Sequence, residues 1–503
     1  MTRAKGSSFS WFSLSFKTGA IALMIAAPLA GVWVGSSLAA FANHATWLPV
    51  ACGLLLFPGL PLVWEGAAFL RSPALVGKRR FLTFSDRLIL RTLAVNIVFL
   101  FVLLAAFPSR AFLALSTRGD WMLDGRHTPA AEKARSVLLG CAGAVEWLYN
   151  ASHDNPYQEG KQSQDINPTP TPTPTGTTTP APAPVPTTTA VDDAGTEAGT
   201  GTDAGAGDVP VVANGKYPWP ETLHPVVVNM PKEVEVSIDS VGKYIASHEP
   251  DPMLRVKALH DWVVDRIAYD VPNYEAHTIP QGDYDGPSVF RTRVGVCAGY
   301  AELMVELGKA SGDEILYLRG DARSQSSPME GEGHAWNATR INGAWYLIDT
   351  TWDAGHPKDG QFKKQYGTEY LFTPPTLFAV SHFPDAAKWQ LLERPLSRAE
   401  FFRKPVLAPA FFIHGLELRS PDQSQVSAAG SLDFAIGNPR NVFLLADYKL
   451  KGGGGGGDCK GDRHTAFHCT FPAAGTYDVR LYVSPKQYGS YDFAGSVQVN
   501  ARP

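Results

Sequence analysis

The sequence predicts a multidomain chain with N-terminal transmembrane helices, an α+β globular domain and a C-terminal all-β sandwich-like domain. Three features predict it. Residues 1–110 carry three long apolar runs, residues 161–215 are rich in Pro, Thr, Ala and Gly, and the remainder shows helical and strand periodicities. At 503 residues and 54.3 kDa the chain is too long for one ordinary domain. A formal charge of −4 and a pI near 6.4 leave no dominant basic face, so a nucleic-acid partner is not expected.

The first apolar run, Gly19–Ala42, has no charged residue. It is long enough for a hydrocarbon core that needs about 20 residues. The second, Trp47 to Trp64, is interrupted by Pro49, Pro58 and Pro61, and the third is Leu88–Phe107. A secretory signal peptide would explain one such run, not three in series. Arg3, Lys5 and Lys17 precede the first run, the NHAT connection after it has no Lys or Arg, and Arg71, Lys78, Arg79, Arg80 and Arg87 follow the second. By the positive-inside rule the N-terminus and the basic loop are cytoplasmic. Three spans then place the globular and C-terminal domains on the extracytoplasmic side; a re-entrant second run would give two spans and the opposite side. The neutral and basic loops fit three. Cys459 and Cys469 are close enough in sequence to bridge in an oxidising compartment, and two free thiols are the alternative in a reducing one.

Residues 111–160 form a juxtamembrane segment in which Val137, Leu138, Cys141, Val145 and Leu148 give Pro129–Asn150 an amphipathic helical pattern, suited to the membrane surface or to the later domains. Residues 161–215 read as a disordered linker. Their Pro alternation favours extended polyproline II at about 3.1 Å per residue, a stalk that would hold a domain off the bilayer. In the globular domain, residues 216–395, Asp251 caps a helix with Pro252 in its first turn and Leu259, Trp262, Val263 and Ile267 on one face. Thr278–Ser288 is a Gly/Asp/Pro-rich loop. A second helix starts at Cys297, with Tyr300, Leu303, Met304 and Leu307 at helical spacing and Gly312 as its stop. A strand, EILYLRG from Glu314, comes next, then a polar loop to Gly333 and the hairpin HAWNATRI-NG-AWYLIDTTWD.

This order carries chemistry. A thiolate is the nucleophilic form of cysteine, and a helix N-terminus favours it through its partial positive charge. The Asn342-Gly343 pair predicts a two-residue turn. Ile341 then faces Ala344, His334 lies opposite Thr351, and Asp349 becomes a diagonal neighbour of His334 on the same face. Diagonal partners are ~7–8 Å apart at the backbone, within reach of an imidazole–carboxylate hydrogen bond. A thiol, a base and a group that orients the base make a nucleophilic triad of Cys297, His334 and Asp349. A buried structural cysteine and a hydrogen-bonded strand histidine are the alternatives for these residues taken singly.

The motifs VGVCAGYAELMVEL, GHAWNAT and WYLIDTTWD resemble, in order and spacing, those of the transglutaminase-like superfamily. The resemblance, over Val236 to Leu392, implies a papain-like α+β fold with Cys297, His334 and Asp349 as its triad. YLFTPPTLFAVSHFPDAAKWQLL and PAFFIHGLEL are similar to the kyphoscoliosis-peptidase branch, in which a β-sandwich-like domain follows the core. The membrane runs and the Pro/Thr segment depart from the animal members of that branch.

Residues 396–503 contain AFFIHGLELRS, SLDFAIG, NVFLLADYKL, HTAFHCTF, TYDVRLYVSP and GSVQVN, short alternating runs at sandwich spacing. The glycines of KGGGGGGDCKGD read as a flexible loop, since no G-K-S/T follows to make a phosphate cradle. The other histidines show no metal-ligand spacing, and no cofactor or metal is expected. Asn150 and Asn337 head sequons that read as chance matches. The expected function is a membrane-anchored cysteine enzyme acting on a protein or peptide, with a thioacyl intermediate resolved by water (peptidase) or by an amine (cross-linking). A non-catalytic peptide-binding adaptor is the alternative. The resemblance favours proteolysis, the residues alone do not choose, and oligomeric state is not legible.

Overall fold

The computed structural model describes residues 8–42, 47–71, 82–126, 128–152, 217–276, 278, 284–324, 329 and 331–502. Three of its helices are long and apolar enough to cross a membrane: Ala22–Ala42, Leu48–Arg71 and Phe84–Ala106. The second extends past the expected end at Trp64, and its backbone breaks at Phe57 (φ −154°, ψ 122°), just before Pro58. Proline has no N–H to give, so a carbonyl near the break needs another donor. Asn96 of the third helix supplies one: its Nδ2 donates to the Leu56 carbonyl (3.3 Å) and to that of Thr92 (2.9 Å). Glu65, within the second span, is held by Arg87 (2.8 Å) and Arg91, which accounts for the arginine in an otherwise apolar third run.

The juxtamembrane segment packs on the globular domains. Helix Pro108–Arg118 buries every residue from Ala111 to Arg118. Phe112 and Leu113 share a core with Tyr149, Phe383, Phe401 and Phe402. Asp120 is fully buried and pairs with Arg135 and Arg403, each at 2.7 Å. Arg118, also buried, donates to Asp124 (2.6 Å) and to Ser427 (2.7 Å). This seam packs helix Pro108–Arg118 and its neighbours against the globular domains, and the expected stalk falls on the linker. The linker itself lies outside the described residues. The single helix read over Pro129–Asn150 is two, Pro129–Gly143 and Glu146–Ser152.

In the globular domain, helix Pro252–Arg266 starts as its sequence dictates, with Asp251 accepting from the N–H groups of Met253 and Leu254 at 2.9 Å each. It packs with helices Ile238–His248 and Cys297–Ser311 around Trp262, Leu259, Tyr300 and Leu303. An antiparallel sheet runs in the order Leu371–Thr373, Ala344–Ile348, Glu332–Ile341, Glu314–Ala322, His382–Pro384. The Asn342-Gly343 turn has both residues at positive φ (52° and 85°), as a type I′ turn needs. Its register is the one read from the sequence, Ile341 facing Ala344 and Asn337 facing Ile348. Asn337 is buried and donates to the carbonyls of Ala301 (2.9 Å) and Leu316 (3.1 Å), tying the cysteine helix to the sheet.

The C-terminal region is a sandwich of a six-stranded and a four-stranded sheet. Phe434, Phe467, Tyr477, Val479 and Val499 fill the space between them. Two local readings are corrected. Part of the glycine run is strand, Gly456–Asp458, pairing back on Phe443–Leu450, and PAFFI is a short helix after proline rather than a strand. Cys459 and Cys469 are bridged.

The seam predicts that Asp120→Ala leaves two arginines without their buried counter-charge. Breaking such a cluster costs about 3–5 kcal/mol. The expected result is a lower unfolding midpoint for the full chain in detergent, with faster proteolysis between residues 108 and 152.

Candidate active site

Cys297 is the first residue of its helix. Val296 before it is extended (φ −105°, ψ 178°), and the first intrahelical bond runs from Tyr300 N–H to the Val296 carbonyl (3.1 Å). The N–H groups of Cys297, Ala298 and Gly299 thus precede the hydrogen-bond ladder and belong to the electropositive helix end. Glycine is required at 299 because a Cβ there would lie 2.5 Å from Val289 Cγ2 and 2.7 Å from the Tyr284 carbonyl. The Tyr300 hydroxyl donates to the Ile267 carbonyl (2.8 Å), fixing the first turn against the preceding helix.

His334 lies on the central strand opposite Gly320. Its Nε2 is 2.7 Å from Asp349 Oδ2, and the Cys297 side chain lies close enough to the same ring to act on its charge. All three residues read from the sequence are therefore in one contact chain. One detail differs: the hairpin ladder ends at Ile348, and Thr351 does not sit across from His334. The chain leaves the sheet at Asp349, which caps the short helix Thr350–Asp353 by accepting from the N–H groups of Thr351 (2.8 Å) and Trp352 (3.2 Å) through Oδ1. The carboxylate caps with one oxygen and binds His334 with the other.

The electrostatics follow from burial and charge. Burial disfavours the charged imidazole of His334, but Asp349 and Cys297 outweigh it and the ring is pushed up to about 10. Burial also works against the Asp349 carboxylate, yet His334 and then His382 hold it well below the usual carboxylate range. The Asp349 carboxylate thus favours the charged form of His334.

The sequence reading missed His382. Its Nε2 is 3.0 Å from Asp349 Oδ2, the oxygen that His334 also uses, and its ring is fully buried. Burial, the largest effect, pushes it down to about 4, so this second imidazole is neutral. No local spacing advertised it; strand His382–Pro384 reaches the site by pairing with Gly320–Ala322 at the sheet edge. The nearest sequence signal was SHFP, in a segment read only for its family likeness. The ligand atoms of His334, Asp349 and His382 lie within 4.8 Å of one another, a grouping that could hold a metal ion. The two imidazole–carboxylate hydrogen bonds account for that closeness without one.

A second buried network lies beside the first. His260 bridges Asp261 (3.0 Å) and Asp353 (3.0 Å), Lys257 binds Asp261 (2.5 Å), and Asp353 accepts from Tyr370 N–H (3.0 Å). It ties the TTWD turn to helix Pro252–Arg266 and leaves Asp349 on the site side of that turn.

Residues 239–350 match the family model of the transglutaminase-like superfamily, so the chain carries a transglutaminase-like domain, and the three site residues read from the sequence fall inside it. The kyphoscoliosis peptidases of Mus musculus and Homo sapiens are similar to it at 31% and 30% identity over 179 residues, 34% of this chain and 27% of each relative. Hillarin of Drosophila melanogaster is 29% identical over 135 residues, 24% of this chain and 16% of that protein. The chain thus spans about a quarter of the length of the kyphoscoliosis peptidases it matches. A solved chain titled "Crystal structure of a TGase" aligns at a TM-score of 0.21 and 20% identity over 29% of this chain and 40% of that one, and at that score it adds nothing to the register described above.

Two predictions concern this geometry. Asp349→Asn keeps an oxygen for the helix cap but loses the charge and can present its amide to His334; alkylation of Cys297 at pH 6 is expected to fall, by up to the roughly 10⁴-fold that the same change in a serine-protease triad costs in kcat. The second is a pH profile of stability. The unfolded imidazole titrates near 6.5, and His382 is depressed below it, so the unfolded chain binds the extra proton and stability is lost as pH falls from about 6.5 through about 4. His334 is raised, so its contribution is complete below about 6.5 and is lost as pH rises through about 10. Thermal unfolding against pH is expected to show both limbs, the acid one flattened in His382→Gln and the alkaline one in His334→Gln.

Proposed function

We propose that this chain is a membrane-anchored cysteine enzyme of the transglutaminase-like class, with Cys297 as nucleophile, His334 as base and acid, and Asp349 as the group that orients His334. The observation that carries this reading is the unbroken contact chain from a thiol at a helix N-terminus, through an imidazole whose charged form is favoured, to a buried carboxylate. The Cys297 thiolate attacks the carbonyl carbon of a peptide bond or glutamine amide. The C–N bond breaks, and the leaving amine or ammonia takes the proton of His334, giving a thioacyl enzyme. Neutral His334 then accepts a proton from water as its oxygen attacks the thioester. The C–S bond breaks, and the thiolate–imidazolium pair is restored. The backbone N–H of Cys297 is placed to stabilise the oxyanion at the helix end. Hydrolysis is favoured over amine transfer by likeness to relatives named peptidases. The three apolar helices support anchoring in a membrane, and the charge pattern of their loops supports an extracytoplasmic site.

The full chain in detergent would be incubated with glutamine-containing peptides and a fluorescent primary amine. New peptide termini or released ammonia are expected, and both should vanish in Cys297→Ala, since loss of a triad nucleophile costs on the order of 10⁶ in kcat. Amine incorporation in place of hydrolysis would assign the cross-linking reaction. Peptide binding without any product, together with an unreactive Cys297, would make the domain an adaptor.

A further inference from the structure

We infer that His382 is a fourth functional member of the site, a positioning residue that donates a hydrogen bond to Asp349 and thereby aims the carboxylate at His334. This rests on the proposed function in that it assigns His382 a task within the same triad.

The inference stands on how Asp349 is bound. Its Oδ1 accepts from Thr351 N–H (2.8 Å) and Trp352 N–H (3.2 Å), and its Oδ2 lies 2.7 Å from His334 Nε2 and 3.0 Å from His382 Nε2. Four donors fill the ~four lone-pair sites of an ionised carboxylate. Three come from the motif-bearing hairpin, and only His382 comes from elsewhere in the chain. A carboxylate cannot donate, so the His382 Nε2 must carry the proton it shares with Oδ2. The other ring nitrogen faces the Ser381 hydroxyl at 2.9 Å and the carbonyl of Phe378, and Ser381 also engages the Tyr370 phenol.

The ring cannot easily move. Phe378 stacks on it with centroids 4.1 Å apart, and Trp352, Trp336 and Tyr370 stand at 4.5, 5.1 and 5.4 Å. The charged and titratable groups that face it are Asp349, His334 and Tyr370. A neutral imidazole is the useful state here, because a second cation beside His334 would compete for the same carboxylate oxygen. When Asp349 holds both imidazoles through one oxygen, rotation about its side-chain bonds breaks two bonds at once. His382 thus locks the orientation that His334 needs on each transfer of the proton.

A purely structural histidine in an aromatic box would leave Cys297 chemistry unchanged in any variant that folds, and that separates the two roles. The full chain in detergent would be alkylated with iodoacetamide from pH 5 to 9, and the Cys297 peptide followed by mass spectrometry so that Cys52 and Cys141 do not interfere. The variants are His382→Phe, which keeps the aromatic packing but has no donor, His382→Asn, whose amide falls short of Asp349, and His382→Gln, whose amide nitrogen occupies the place of Nε2. His334→Ala is run alongside. Outer-sphere partners of functional histidines are worth roughly ten- to a hundredfold. The Cys297 rate at pH 6 is expected to fall by about that factor in the Phe and Asn variants and to be restored to within about threefold of wild type in Gln. Equal rates in all folded variants, with wild-type Cys297 reactive at pH 6 and dependent on His334, would overturn the role of His382 and leave the proposed function standing. A wild-type Cys297 that is unreactive at pH 6 would instead overturn the proposed function, and the inference with it. Should His382→Phe fail to fold, the Asn and Gln pair decides: a rate that is the same in both overturns the inference.

Discussion

The site depends on one carboxylate. Asp349 ends a strand, starts a helical turn and accepts hydrogen bonds from two imidazoles, all without solvent. A buried anion of this kind is tolerable only when every lone pair is engaged and a cation stands nearby. The backbone cap supplies part of that requirement and His334 supplies the charge. Because the same group caps the backbone and holds His334, the turn that ends the strand and the geometry of the candidate site are one structural feature.

Two aspartates four residues apart in DTTWD have separate partners. Asp349 faces the cysteine helix, whereas Asp353 faces helix Pro252–Arg266 through His260 and holds the Tyr370 backbone. Tyr370 in turn accepts from Asp349 N–H at 2.9 Å through its carbonyl, so the two carboxylates are braced by one residue on the neighbouring segment. This arrangement explains how a turn of four residues can hold a functional side chain in a fixed place without a long helix behind it.

The juxtamembrane seam relates the membrane helices to this site. Phe383 follows His382 directly and belongs to the same core as Phe112 and Tyr149, its ring against Phe401, while Arg398 lies over Phe383 and pairs with Asp321. The strand that brings His382 to Asp349 is thus linked through Phe401 and Phe402 to the core around helix Pro108–Arg118. Burial of Asp120 between Arg135 and Arg403 makes that cover more than an apolar contact.

Much of the fold and most of the site could be read without coordinates, because they are set by interactions short in sequence. The Asn-Gly turn determines the hairpin register, the register puts Asp349 and His334 on one face, and glycine 312 and the apolar spacing place Cys297 at the head of a helix. Apolar length alone marks the three helices long enough to cross a membrane. The readings that failed were those in which local pattern competes with other constraints: PAFFI has strand-like composition but begins with Pro409, which suits the first turn of a helix, and part of the glycine run takes strand conformation because Phe443–Leu450 offers an edge to pair with. His382 and the Asp120 cluster belong to a different class. His382 is 33 residues from Asp349 and Arg403 is 283 from Asp120, and a hydrogen bond or ion pair carries no mark in the local sequence of either member. The sequence by itself determined which residues could form a thiol, base and carboxylate series; only the tertiary structure decided that a second imidazole closes the fourth position on Asp349, because that contact is made by strands meeting at a sheet edge.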